Sequence, residues 1–104
     1  MMLCLVTDRR RLGAALGLKA DTYTEALRTQ LVAAATAGVD LVQVREPDLE
    51  AGALVQLVRA IISDLKGTAT KVLVNDRLDV AWASGAAGVH LKERSFPVNA
   101  ARAA

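Results

Sequence analysis

The chain has 104 residues, of which 53% are hydrophobic and 23% charged, so it is no disordered tail and has room for one domain with a packed core. One Trp, one Tyr and one Phe leave that core to Ala, Leu and Val, while a single Cys and a single His exclude an internal disulfide and an all-cysteine metal site. A net charge of +2 points to no strongly acidic or basic partner.

Leu3-Cys4-Leu5-Val6-Thr7 reads as a buried strand with Cys4 in the core, followed by a polar loop through Asp8 and Arg9-Arg10-Arg11. The arginine triplet could attract phosphate, but a solvated loop is the simpler expectation. Thr22 and Glu25 have the spacing of a capping box, which predicts a helix carrying Leu27, Leu31, Ala34 and Ala35 on one face and stopping at Gly38. Leu41 to Arg45 follow as a second strand, closed by Pro47 because proline holds the preceding residue extended. Asp48 is placed to cap the next helix, whose apolar stripe is Leu54, Leu57, Val58, Ile61, Ile62 and Leu65, with Gly67 at its end. Val72 to Val74 form a third strand ending at Asn75, and a short helix from about Arg77 carries Trp82 and stops near Gly85. Gly88 to Leu91 make a fourth strand, and Pro97 suits the first turn of a helix over Val98 to Ala104.

Strands alternating with helices through short connections specify an α/β fold with parallel strands. An open doubly wound sheet and a (β/α)8 barrel both satisfy that order, but no G-x-G-x-x-G follows the first strand. In a barrel the chemistry collects at the carboxyl ends of the strands, where this chain has Thr7, Asp8, Gln43, Arg45, Asn75, Asp76 and His90. Alternation turns Val42 and Val44 toward the helices and puts Gln43 and Arg45 together on the other face. A barrel spends roughly 25 to 31 residues on each βα unit, so 104 residues supply three to four units, the N-terminal half of a (β/α)8 barrel. The expectation is a truncated piece of a longer barrel; the alternative is a half-barrel that pairs with a copy of itself.

No apolar run approaches the ~20 residues of a membrane span, and the N-terminus lacks the order of a secretory signal. Tyr23, Trp82 and Phe96 are too scattered for a base-stacking platform. The expectation is a cytoplasmic protein with neither membrane nor nucleic acid as partner, its oligomeric state open.

Leu5-Val6-Thr7-Asp8, the run from Ala37 to Glu46 containing Gln43-Val44-Arg45-Glu46, Val74-Asn75-Asp76-Arg77, and the run from Gly85 to Leu91 occur in that order. Together, over nearly the whole of residues 1–104, they resemble the N-terminal half of the thiamine-phosphate synthase superfamily, which includes the TenI-type thiazole tautomerases. The resemblance implies a partial (β/α)8 barrel of a transferase in thiamine biosynthesis. Such an enzyme couples an aminopyrimidine methyl diphosphate to a thiazole phosphate and releases pyrophosphate with the help of Mg²⁺. By the same resemblance Gln43, Arg45 and Asn75 contact the pyrimidine diphosphate and Asp76 is a magnesium ligand; no catalytic residue is assigned.

Plainer roles stand beside these. Asp76 is placed to cap the short third helix, Arg45 to pair with Glu46 or Asp48, Gln43 and Asn75 to satisfy interior polar atoms, and His90 to be an interior hydrogen-bonded residue. Two positions depart from the synthase pattern: its Q-x-R-E-K lysine is Pro47 here, and the second metal-binding Asp after the fourth strand is Ser95. A TenI-type tautomerase, which moves a proton without Mg²⁺, tolerates both losses, and its catalytic histidine lies beyond residue 104. A barrel-derived binder of phosphate ligands without turnover is the third alternative. The 104 residues alone are expected to lack synthase activity, because a barrel's usual phosphate site follows strands 7 and 8.

Overall fold

A computed structural model describes residues 2–75, 85, 86 and the strand 88–90, the last by its backbone. Four strands, β1 (Cys4–Val6), β2 (Leu41–Val44), β3 (Lys71–Asn75) and β4 (Gly88–His90), form one sheet in the order β1-β2-β3-β4, with every neighbouring pair parallel. The helices α1 (Arg9–Ala15) and α2 (Tyr23–Thr36) lie between β1 and β2, and α3 (Ala51–Asp64) lies between β2 and β3. Sequential parallel strands with helical crossovers are the arrangement of one half of a (β/α)8 barrel.

Register decides which side chains share a face. Leu5 pairs with Val42, which pairs with Val72, and Val44 pairs with Val74. These residues meet Leu27, Leu31 and Ala35 of α2 and Leu54, Leu57, Val58 and Ile61 of α3, making one core on the helix side. The apolar periods expected for both helices are thus the buried ones, with Ala34 and Ile62 half-buried at the margin. On the other side Cys4 pairs with Leu41 and Val6 with Gln43. Cys4 is therefore exposed, contrary to expectation, because it occupies the alternate position of its strand, on the face that no described helix covers.

The local signals met mixed outcomes. Gly38 adopts φ 99° and ends α2 as expected, with its N–H donating to Ala35 O at 3.1 Å and the Val39 N–H to Ala34 O at 3.1 Å. That pair of bonds closes the last turn and needs the left-handed conformation that glycine adopts without a Cβ penalty. The Thr22–Glu25 capping box does not form. A short 3-10 turn (Ala20–Thr22) runs directly into α2, so Thr22 has ψ 0° rather than an extended backbone, and its hydroxyl donates to Lys19 O at 2.7 Å.

The polar loop expected after β1 is instead a helix. Asp8 caps α1 by accepting the Arg11 N–H at 3.1 Å, and Gly13 lets α1 approach α2 so closely that a Cβ there would enter the ring of Tyr23. At the opposite end of the strands, Asp40 accepts the Leu3 N–H at 2.7 Å and its N–H donates to Leu3 O at 3.0 Å, fastening β1 to the turn before β2. Asp76, the side chain of His90, the helix expected from Arg77, Ser95, and the segment Val98 to Ala104 lie outside the described residues.

Candidate functional site at the carboxyl rim of the strands

The site is built where β1, β2 and β3 end. Gln43 is the third residue of β2 and Asn75 the last of β3; both lie on the face opposite α2 and α3, half-buried. Gln43 Nε2 donates to Asn75 Oδ1 at 2.8 Å, which joins the two amides across the strands. In β4, the residue in register with Asn75 is His90. Arg45 follows β2 directly and is exposed. Two of the three expected substrate contacts are thus in direct contact, and the third leaves the same strand end.

Arg45 pairs with neither Glu46 nor Asp48. Both carboxylates are taken by Arg9, whose Nη1 donates to Glu46 Oε1 at 2.8 Å and whose two terminal nitrogens reach Asp48 Oδ1 and Oδ2 at 2.9 and 2.6 Å. A planar guanidinium gripping a carboxylate with two parallel bonds outcompetes a single cap bond. Asp48 accordingly does not cap α3, which starts at Ala51 behind Glu50 with no side-chain cap. The bond to Asp48 raises the Arg9 pKa above its ordinary value against the opposing effect of burial, with Glu46 adding to the rise. The same bond lowers the Asp48 carboxyl to about 2.

Glu46 is the organising group of the rim, and sequence reasoning missed it. It is only 4% exposed, and its carboxylate accepts from the Thr7 hydroxyl at 2.6 Å, from the Arg9 backbone N–H at 3.2 Å and from the Arg9 side chain. Thr7, 2% exposed, at the same time accepts the Arg45 N–H at 2.9 Å, so one hydroxyl locks the end of β1 to the backbone of Arg45. The sequence did hold a signal. Positions 42, 44 and 46 share the parity of the buried valines, and a carboxylate at such a position needs hydrogen-bonding and cationic partners.

Beside this network a polar cavity of about 440 Å³ opens among Val6, Thr7, Asp8, Arg10, Arg11, Arg45, Glu46, Pro47 and Asp48. A larger groove of about 860 Å³ is lined by α2, Asp21 and Asp64 on the helix side and contains no strand-end residue. The smaller cavity, at the strand ends, is where a parallel α/β sheet places its chemistry. No group of three His, Cys, Asp or Glu side chains among the described residues could hold a metal ion, and no described helix is long and apolar enough to cross a membrane.

Fold and rim together define a half-barrel of the parallel βα type with polar groups gathered at its carboxyl end. The chain matches the family model described as thiamine monophosphate synthase over residues 3–104, and it belongs to that family. It is 43% identical to the thiamine-phosphate synthase of Azorhizobium caulinodans over 103 residues, covering 99% of this chain and 44% of that protein. The putative thiamine-phosphate synthase of Geobacter sulfurreducens is 38% identical over 100 residues, covering 96% and 42%. The solved structure of a thiamine phosphate pyrophosphorylase from Pyrococcus furiosus superposes with a TM-score of 0.71 at 25% identity, covering 98% of this chain and 44% of its own. The chain therefore spans less than half the length of these relatives.

Proposed function

We propose that this chain carries the pyrimidine-diphosphate side of a thiamine-phosphate synthase, a transferase of thiamine biosynthesis in the cytoplasm. The observation that supports this most is the Gln43–Asn75 amide pair at the ends of β2 and β3, with Arg45 leaving β2 beside it. In the proposed reaction the bond between the pyrimidine's methylene carbon and the diphosphate oxygen breaks, and the thiazole nitrogen takes the carbon. Negative charge builds on the departing pyrophosphate, where a guanidinium and amide N–H groups stabilise the transition state more than the ground state. Gln43 and Asn75 hold the pyrimidine end, and Arg45 holds the diphosphate with its fork of donors.

In the sequence Asn75 is followed by Asp76, a hard oxygen ligand. One carboxylate with water and phosphate oxygens meets the ordinary needs of Mg²⁺; Asp76 would hold that ion, which would neutralise the leaving group. The complete reaction, with its thiazole phosphate substrate, is proposed for a polypeptide of the relatives' length.

The test is titration of the full chain with the aminopyrimidine methyl diphosphate, with and without Mg²⁺. Binding that weakens about tenfold or more in Arg45→Ala and Gln43→Leu is expected. Unchanged affinity in both variants would remove these residues from the site. One feature favours a TenI-type tautomerase as the second reading: Pro47 lines the rim cavity with no charge, where the synthase pattern has lysine. Metal-independent isomerisation of a thiazole phosphate by a full-length protein carrying this half, without pyrophosphate release, would establish it.

A further inference from the structure

The Arg9-Arg10-Arg11 triplet is divided by the fold into one structural arginine and two that line the rim cavity. Arg9 is spent on Glu46 and Asp48. Arg10 and Arg11 are exposed and line the cavity from α1, and Arg45 lines it from the end of β2. Arg9 gives each oxygen of Asp48 one hydrogen bond, and Arg10 Nε stands 3.8 Å from Oδ1 as a long ion pair. The side chains of Arg11 and Arg45 form no ion pair or hydrogen bond among the described residues. The acids on the same wall have partners of their own: Glu46 accepts from Thr7 and Arg9, Asp48 accepts from Arg9 besides its long pair with Arg10, and Asp8 accepts from the α1 backbone.

We propose that Arg10 and Arg11 form, with Arg45, an anion-binding wall of the 440 Å³ rim cavity and that this wall takes a diphosphate group. Three guanidinium groups line this cavity from two elements and bring three positive charges, more than the one or two negative charges of a single carboxylate or phosphoryl group. Two linked phosphoryl groups offer enough oxygens and charge for all three. The wall also supplies cations beside Pro47, which contributes none. This inference rests on the proposed diphosphate site and extends it to α1.

The test uses inorganic pyrophosphate, orthophosphate and the aminopyrimidine methyl diphosphate as separate titrants of the full chain, followed by calorimetry. The variants are Arg11→Ala, Arg10→Ala/Arg11→Ala and Arg45→Ala, with Lys19→Ala/Lys66→Ala as a control that removes equal charge elsewhere on the surface. Pyrophosphate affinity should fall about tenfold in Arg11→Ala and further in the double variant, should hardly change in the lysine control, and should be partly rescued by Arg11→Lys. Orthophosphate should bind much more weakly than pyrophosphate. If the ester also loses affinity in the double variant, the wall serves the substrate's diphosphate; if only pyrophosphate does, it serves the released product.

Unchanged pyrophosphate and ester binding in the double variant, with loss in Arg45→Ala, would overturn the inference and leave the proposed function standing. An equal loss in the lysine control would reduce the effect to net charge and overturn it too. Orthophosphate binding as tight as pyrophosphate would remove the diphosphate assignment. Absence of binding by the unaltered chain to any of the three would overturn the inference and the proposed function together.

Discussion

On the helix side of the sheet Val42, Val44 and Val74 are sealed beneath α2 and α3, whereas on the other side of the same strands Val6 is 50% exposed and Cys4 is open. Both faces follow one alternation, and they differ only in what covers them. Two 14-residue helices provide enough apolar surface to bury the first face, while nothing among the described residues covers the second at β1. Stability comes from the helix side, whereas the other face stays open at β1 among the described residues.

The sharpest way to break this contrast is to cut one apolar side chain on each face. Ile61→Ala, at a fully buried position, should cost about 2–5 kcal/mol and lower the urea midpoint accordingly. Val6→Ala should stay within about 0.5 kcal/mol, as surface changes do. A large loss at Val6 would mean that this face is buried in solution, by residues of this chain outside the described ones or by another chain.

The rim should show an intermediate effect. Thr7→Val removes both the donor to Glu46 and the acceptor of the Arg45 N–H, at a cost of about 1–3 kcal/mol. Its specific signature is faster hydrogen exchange at the Arg45 amide, with Val42 and Val44 still protected. Uniform loss of protection would show that the rim and the helix side unfold as one unit.

Acid provides a gentler probe. The Asp48 carboxyl is lowered in the fold from its ordinary 3.8 to about 2, so its contribution is fully present above the ordinary value and is lost as pH falls through the folded one. Stability should therefore decline between about pH 4 and pH 2, with a shallower slope in Asp48→Asn; identical slopes would show that Arg9 does not hold Asp48 in solution. The smallest effect is expected at the Arg28–Asp64 pair, which joins α2 to α3 at 2.6 Å on an exposed flank. Arg28→Ala should cost about 0.2–1 kcal/mol by thermal unfolding, and less as salt is raised.

Most of the architecture is legible in the sequence because periodicity is local. The stripe through Leu54, Leu57, Val58, Ile61 and Leu65 and the alternation of Val42 and Val44 each assign a face without knowledge of partners. The positions of the two amides were legible in the same way, since Gln43 lies opposite in parity to the valines and Asn75 closes the next strand, but their direct hydrogen bond was not. Caps were less legible. Thr22 and Asp48 had the right type and spacing, but a 3-10 turn took one and a guanidinium 39 residues away in sequence took the other. Cys4 failed for a related reason, since an apolar run by itself does not say which of its two faces a helix will cover.

By itself, the chain's order of residues determined the parallel βα succession, the two core helices and the parity of Gln43, since these follow from the repeats of helix and strand. Only the tertiary structure decided that Arg9 would serve Glu46 and Asp48, that Arg10 and Arg11 would line the cavity, and that Thr7 would lock the backbone of Arg45. Those outcomes depend on β1 and β2 lying side by side, which brings together groups nearly forty residues apart. Once the strands are paired, burial of Glu46 requires a cation, and geometry selects which of three neighbouring arginines supplies it.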